Sequence, residues 1–222
     1  MLEKINYLTA GESHGRGLLG IIEGIPSNLE IDENFIREQL SRRQKGYGRG
    51  SRMKIESDFA QIYCGVRHGI TIGAPIGLII ENKDFQNWED AMSVHKNKYN
   101  RKITLPRPGH ADLAGVLKYG FDDIRNVIER SSARETAMRV AIGAICRKLL
   151  SELNIDICSR VVQIFNIIDK SQIDSDLSYE KINELADQSS VRCLDKDKEK
   201  KMIDAISIAK KNGDSVGGVF EI

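Results

Sequence analysis

Residues 55–81 read IESDFAQIYCGVRHGITIGAPIGLIIE. Apolar and polar side chains alternate across 55–66, the period of a half-buried strand, and 70–81 is largely apolar. Arg67, His68 and Gly69 break the run, so the segment predicts two strands joined by a turn. Upstream, Leu18 to Ile25 predicts another buried strand, closed by Gly24 and Pro26. Asp32 is placed to cap a helix carrying Phe35, Ile36 and Leu40, with Arg42 and Arg43 in its last turn and Gly46 as its stop. Downstream, 82–102 turns polar around the lone Trp88 and predicts irregular structure.

The strongest periodicity lies at 133–153, where Ala137, Val140, Ala141, Ala144, Ile145 and Leu149 share one helical stripe. A strand is expected at 156–168, then amphipathic helices at about 178–188 and 195–212, the second stopped by Gly213. The terminal SVGGVFEI predicts a strand beginning and a domain that continues past residue 222, because Val219, Phe220 and Ile222 carry apolar surface with no breaker after them. There is no internal repeat and no low-complexity segment.

With 33 Lys and Arg against 32 Asp and Glu, the charge balance gives no reason to expect a polyanion as the main partner. A chain of 222 residues, 41% hydrophobic and 29% charged, is an ordinary globular protein able to bury a core, here expected as a single domain over 1–222. Cys64, Cys146, Cys158 and Cys193 are scattered without a CxxC pair, which argues against a zinc site and fits reduced thiols in a cytoplasm. The greasy run LLGIIEGI at 18–25 is too short to span a bilayer and contains Glu23, so neither membrane nor secretory targeting is expected.

Four stretches carry chemistry. GESHG at 11–15 and RPGHAD at 107–112 set His14 and His110 beside glycines, where backbone approaches a ligand closely and an imidazole titrates near neutral pH; each reads as a proton donor or as a structural histidine. His68 and His95 are left as surface residues. RSSARET at 130–136 holds the capping pattern Ser132-x-x-Glu135, whose outward N–H groups, with Arg130 and Arg134, suit a phosphate; the alternative is a cap with solvated arginines. SRRQKGYGRGSRMK at 41–54 gathers Arg42, Arg43, Lys45, Arg49, Arg52 and Lys54 around three glycines with no acid. It reads as an anion cradle, as a nucleic-acid arm with Tyr47 stacking, or as a solvated loop. GESHG also fits GxSxG, but the nucleophile elbow needs a helix after it and RGLLGIIEG reads as strand, which sets the serine hydrolase aside.

Taken together and in order, GESHG, RRQKGYGRGSRMKIE, GVRHG, KITLPRPGHADL, KYGFDDIRNVIERSSARETAMRVAIGA and GDSVGGVFEI resemble chorismate synthase, in the form with the arginine loop found in many Gram-positive bacteria. The resemblance implies an α+β fold, a βαβ sandwich of antiparallel sheets with packed helices, usually assembled as a homotetramer. It implies a lyase of the shikimate pathway that converts 5-enolpyruvylshikimate 3-phosphate, a phosphorylated dicarboxylate, to chorismate by 1,4-anti elimination of phosphate. Reduced FMN is the implied cofactor, with NADPH or an external flavin reductase as the source of its electrons. By the same resemblance, Arg43, Arg49, Arg52, Arg107 and Arg134 line the substrate pocket, and Arg43 and Arg49 alternatively meet a nicotinamide nucleotide. His14 resembles the acid for the departing phosphate and His110 the residue that protonates reduced flavin near N1; Ser132, Ala133 and Arg134 match FMN contacts.

Members of that family are considerably longer, and the part not matched here carries further flavin contacts, a substrate arginine and an aspartate implicated in proton transfer. The alternative expectation is therefore an inactive substrate- or flavin-binding or assembly fragment.

Overall fold

The computed structural model describes residues 4–48, 57–99, 101–173 and 177–222. Their element order is β1 (Asn6–Gly11), β2 (Gly17–Glu23), α1 (Glu33–Gln44), β3 (Gln61–Cys64), β4 (Val66–Arg67), β5 (Ile70–Thr71), β6 (Ile76–Glu81), α2 (Asp112–Tyr119), α3 (Arg125–Arg130), α4 (Thr136–Ser151), β7 (Arg160–Ile164), β8 (Ile167–Ile168), α5 (Tyr179–Asp187), α6 (Lys196–Lys211) and β9 (Gly218–Glu221). Short 3₁₀ turns lie at Lys83–Asn87 and Ala133–Glu135. Strand pairing is antiparallel throughout the described residues, which gives the expected α+β class. The chain divides into two compact units, Met1–Ser41 with Lys54–Lys148, and Arg42–Met53 with Leu149–Ile222.

In the first unit a four-stranded sheet runs β1-β2-β6-β3. Alternation along β2 turns Leu18, Gly20 and Ile22 inward and leaves Leu19, Ile21 and Glu23 exposed, as period-two geometry requires. Helix α4 lies on that inner face. A Cβ at Gly20 would stand 2.4 Å from Met138 Sδ and 3.1 Å from Ile142 Cδ1, so the absent side chain lets the helix approach the sheet. The buried stripe of α4 is Ala137, Met138, Ala141, Ile142, Ala144 and Ile145. Val140 and Leu149, expected on it, are only half-buried, because Met138 and Ile142 take the sheet-facing positions.

The two long strands expected over 55–81 are instead four short ones in two sheets. Gly65 and Gly73 take left-handed backbone (φ +86° and +77°), and Pro75 has no N–H to donate, so the ladder is cut on both sides of the Arg67–Gly69 turn. β4 and β5 close a small ribbon across His68 and Gly69, both at positive φ (53° and 76°) as a tight hairpin turn requires. β3 and β6 pair within the main sheet, with a bulge between Ile62 and Cys64.

In the second unit β8-β7-β9 form a three-stranded sheet. The strand expected over 156–168 folds back at Phe165 (φ 55°) into the β7–β8 hairpin. The terminal strand forms as expected, with Val161 opposite Phe220 and Arg160 opposite Glu221. Val191, Cys193 and Met202 make the unit's core, with Ile164, Ile167, Ile203 and Ile206 packed against it. Asp195 caps α6 through the amides of Asp197 and Lys198, and Gly213 ends it at φ 70°. Among the described residues no helix is long and apolar enough to cross a membrane, and no group of His, Cys, Asp and Glu could hold a metal ion.

Candidate active site

Gly11 closes β1 at φ +110°, where a Cβ would stand 2.4 Å from the Gly17 carbonyl oxygen; only glycine lets the chain leave the ladder there. Loop 12–16 therefore arches from β1 to β2 and carries His14. The loop runs on into strand β2, not into the helix that a nucleophile elbow needs, and Ser13 is buried. Asn82, at the end of β6, holds the loop from below. Its amide donates to Arg16 O at 3.0 Å, and its Nδ2 donates to Glu12 O at 3.0 Å and Gly15 O at 2.8 Å.

Glu129 of α3 holds the loop from the other side. Its side chain is 2% exposed, and both carboxylate oxygens lie 2.9 Å from His14 Nδ1. Oε2 also accepts the His14 backbone N–H at 2.8 Å, while the Glu129 carbonyl accepts the Ser13 N–H at 3.0 Å. A buried carboxylate needs such donors to offset desolvation. Trp88 covers one face of the imidazole, with ring centroids 4.1 Å apart and planes tilted by 32°. Arg125 lies over the Trp88 ring at 5.0 Å and reaches Glu129 Oε1 at 3.4 Å.

Arg134 is buried next to this loop. Its Nε donates to Asn82 Oδ1 at 2.9 Å, and another guanidinium nitrogen pairs with the fully buried Asp58 carboxylate. Asn82 thus ties His14 and Arg134 into one polar network: its amide group grips the loop and its oxygen takes the arginine. The capping pattern is only half realised. Ser132 Oγ accepts from the Arg134 amide at 3.3 Å at the head of a 3₁₀ turn, but Glu135 reaches Thr9, which donates at 2.7 Å, and Arg139. Arg130 donates to Thr9 O at 3.0 Å.

Arg107 and His110 form a second cluster. Arg107 grips the fully buried Asp112 carboxylate with Nε and Nη2, each at 2.9 Å, and adds its backbone N–H at 2.9 Å. Those hydrogen bonds hold the Asp112 carboxyl at about 2, below its ordinary 3.8. A depressed carboxyl contributes stability that is present above pH 3.8 and lost as pH falls towards 2. Replacing Arg107 with Leu is accordingly expected to flatten the fall of Tm between about pH 4 and pH 2. Melting curves across that window check it; an unchanged acid limb counts against the pair. His110 follows Gly109 (φ +74°) and is exposed. The chain before this loop meets the start of α3, the helix of Glu129, through Ile124 N–H to Ile103 O at 2.9 Å, and α2 after it packs on α3 at Gly115, where a Cβ would meet Val127 at 2.4 Å.

His14 and Arg134 are thus brought together through Asn82, with Ser132 and Ala133 in the turn that leads to Arg134. Arg43 lies in the last turn of α1, within the second unit, and Arg49 and Arg52 lie outside the described residues. Its neighbour Arg42 donates to Asp187 at 2.6 Å, and Tyr47 bonds Ser207 at 2.8 Å. His68 and His95 are exposed, as expected. Sequence reasoning passed over Glu129, Asn82, Asp58, Trp88, Arg125 and Asp112. The one signal present was an acid within apolar patterning, as in Val127-Ile128-Glu129 and Asp58-Phe59-Ala60.

Antiparallel sheets packed under helices, with a carboxylate-held imidazole on a glycine-closed loop beside an inward arginine, define an α+β protein with a histidine-centred polar site. The chorismate synthase family model matches residues 5–222, and the chain belongs to that family. It is 50% identical over 222 residues to chorismate synthase of Listeria welshimeri, covering 98% of this chain and 57% of the relative. It is 54% identical over 216 residues to that of Alkaliphilus metalliredigens, covering 97% of this chain and 56% of the relative. A crystal structure of chorismate synthase superposes with a TM-score of 0.77 at 40% identity, covering 99% of this chain and 57% of that one. The fold is therefore of the chorismate synthase type, and the chain spans a little over half the length of the relatives it matches.

Proposed function

We propose that this chain carries part of a chorismate synthase active site, acting on 5-enolpyruvylshikimate 3-phosphate with reduced FMN. The observation that carries the reading is the imidazole of His14, seated on Glu129 and linked through Asn82 to Arg134, in a chain half identical to chorismate synthases over nearly its whole length. In 1,4-anti elimination a C–H proton leaves on one side and the C–O bond to phosphate breaks on the other. His14 donates a proton to the departing phosphate oxygen. By the resemblance, Arg43, Arg49, Arg52, Arg107 and Arg134 are the arginines assigned to the phosphate and carboxylates, and guanidinium charge is most effective where the leaving phosphate gains charge.

The flavin fits the residues present. His110 and Ala133 are exposed, Ser132 is half-exposed with extended backbone at ψ 143°, and nothing lies within 4 Å of where a Gly109 Cβ would stand, so each of these residues is accessible to a ligand without unpacking the core. Reduced flavin, when bound, supplies electron density to C–O cleavage. By the resemblance, Ser132, Ala133 and the turn of Arg134 would hold it, and His110 would supply the proton for the reduced flavin. The remaining assignments, a homotetramer in the cytoplasm with NADPH on Arg43 and Arg49 or an external reductase supplying electrons, rest on family membership.

Anaerobic assay of the 222-residue chain with dithionite-reduced FMN and substrate, followed by chorismate absorbance and by titration calorimetry, tests the reading. Chorismate formation supports it. Substrate or flavin binding without turnover favours the second reading, a non-catalytic binding piece. Neither binding nor turnover overturns both.

A further inference from the structure

We propose that Glu129 is the positioning residue of the site: it fixes the proton on His14 Nδ1, so that Nε2 is the one ring nitrogen that exchanges a proton with the substrate. The inference rests on the reading of His14 as the acid; the resemblance assigned no role to Glu129. An ionised carboxylate accepts hydrogen bonds and has none to give, so the ring nitrogen facing both of its oxygens at 2.9 Å carries the hydrogen. With Nδ1–H committed, Nε2 is a bare acceptor in the neutral ring and an N–H donor in the cation. The same geometry thus serves both halves of a proton transfer.

The carboxylate is itself immobilised. It accepts the His14 backbone N–H at 2.8 Å, and Arg125, whose side chain is 14% exposed, supplies a nearby positive charge at 3.4 Å. Trp88 lies against the imidazole, with ring centroids 4.1 Å apart, and resists rotation of the ring about its Cβ–Cγ bond. A glutamate needed only to tie α3 to loop 12–16 would be satisfied by the two backbone amides that Glu129 already takes. Binding the ring nitrogen as well adds no further tie between backbone segments, but it does select a tautomer.

Long-range ¹H–¹⁵N NMR of the ¹⁵N-histidine-labelled 222-residue chain, above the titration range of His14, reads the tautomer directly. The expected spectrum has a protonated Nδ1 and an unprotonated Nε2, and Glu129→Gln, whose amide can donate as well as accept, moves His14 towards the Nε2–H form. A wild-type ring protonated on Nε2, or an unchanged tautomer in Glu129→Gln, overturns the proposal. Should Glu129→Gln fail to fold, Glu129→Asp, which keeps the acceptor, is expected to retain Nδ1–H; its loss overturns the proposal equally. The reading of His14 fails separately: wild-type turnover in His14→Ala would remove the acid while leaving the tautomer result standing.

Discussion

In a chain extended to the length of its relatives, replacing His14 with Ala is expected to lower turnover by about 10²- to 10⁴-fold, the contribution of one positioned acid. The substitution removes the imidazole but keeps the backbone amides of Ser13 and His14 on Glu129 and the Asn82 bonds to Glu12 and Gly15, so the loop retains its main ties. The loss should therefore fall on kcat rather than on the melting temperature. His110→Ala is expected to cost a similar factor, and since His110 is exposed its removal leaves the core intact. Anaerobic chorismate formation measures both. Wild-type rates in either variant would remove that residue from the chemistry.

Replacing Asp58 with Ala is expected to destabilise the fold by about 3–5 kcal/mol, the usual cost of breaking a buried ion pair by deleting one partner. Arg134 and Asp58 are 7% and 5% exposed, so the guanidinium left behind is largely cut off from bulk water. A shift of the denaturant midpoint reads the effect. The double variant Asp58→Ala with Arg134→Leu should recover part of it, because the uncompensated charge is then gone. Equal stability of wild type and Asp58→Ala would mean that the ion pair contributes nothing net to stability.

These two effects show which parts of the site were legible beforehand. His14 and His110 announce themselves because glycine on one side of an imidazole is a local pattern, and Arg134 because it sits in a capping sequence. Asp58 and Glu129 do not: each is one acid among 32, and what sets it apart is the cation or ring that the fold brings to it from 76 or 115 positions away. The roles of Ser132 and Glu135 were legible only in part. The capping pattern was visible, yet Thr9 lies close enough to take Glu135 away from the reciprocal bond.

Strand boundaries failed for a related reason. Alternation over 55–66 and a strand-like run over 156–168 predict extended chain, and among the described residues strand forms at 61–64, 66–67, 160–164 and 167–168, but pairing is a contest between neighbours. Left-handed Gly65 and Phe165 turn the chain before the pattern ends. Helices α2 and α3, six to eight residues each, carry too few turns for a periodicity to emerge; they are held by Gly115 against Val127 and by Asp112 under Arg107.

Periodicity, capping residues and glycine placement were enough to establish helices α1, α4, α5 and α6 and the terminal strand, because each of these is encoded within a few neighbouring positions; the α+β class and the family came from the resemblance carried by the ordered motifs along the whole chain. The polar network of Asn82, Glu129, Asp58 and Arg134 required the folded chain. Desolvation makes a charge seek a partner wherever the backbone delivers one, and that delivery depends on how strands and helices pack, not on their order along the sequence.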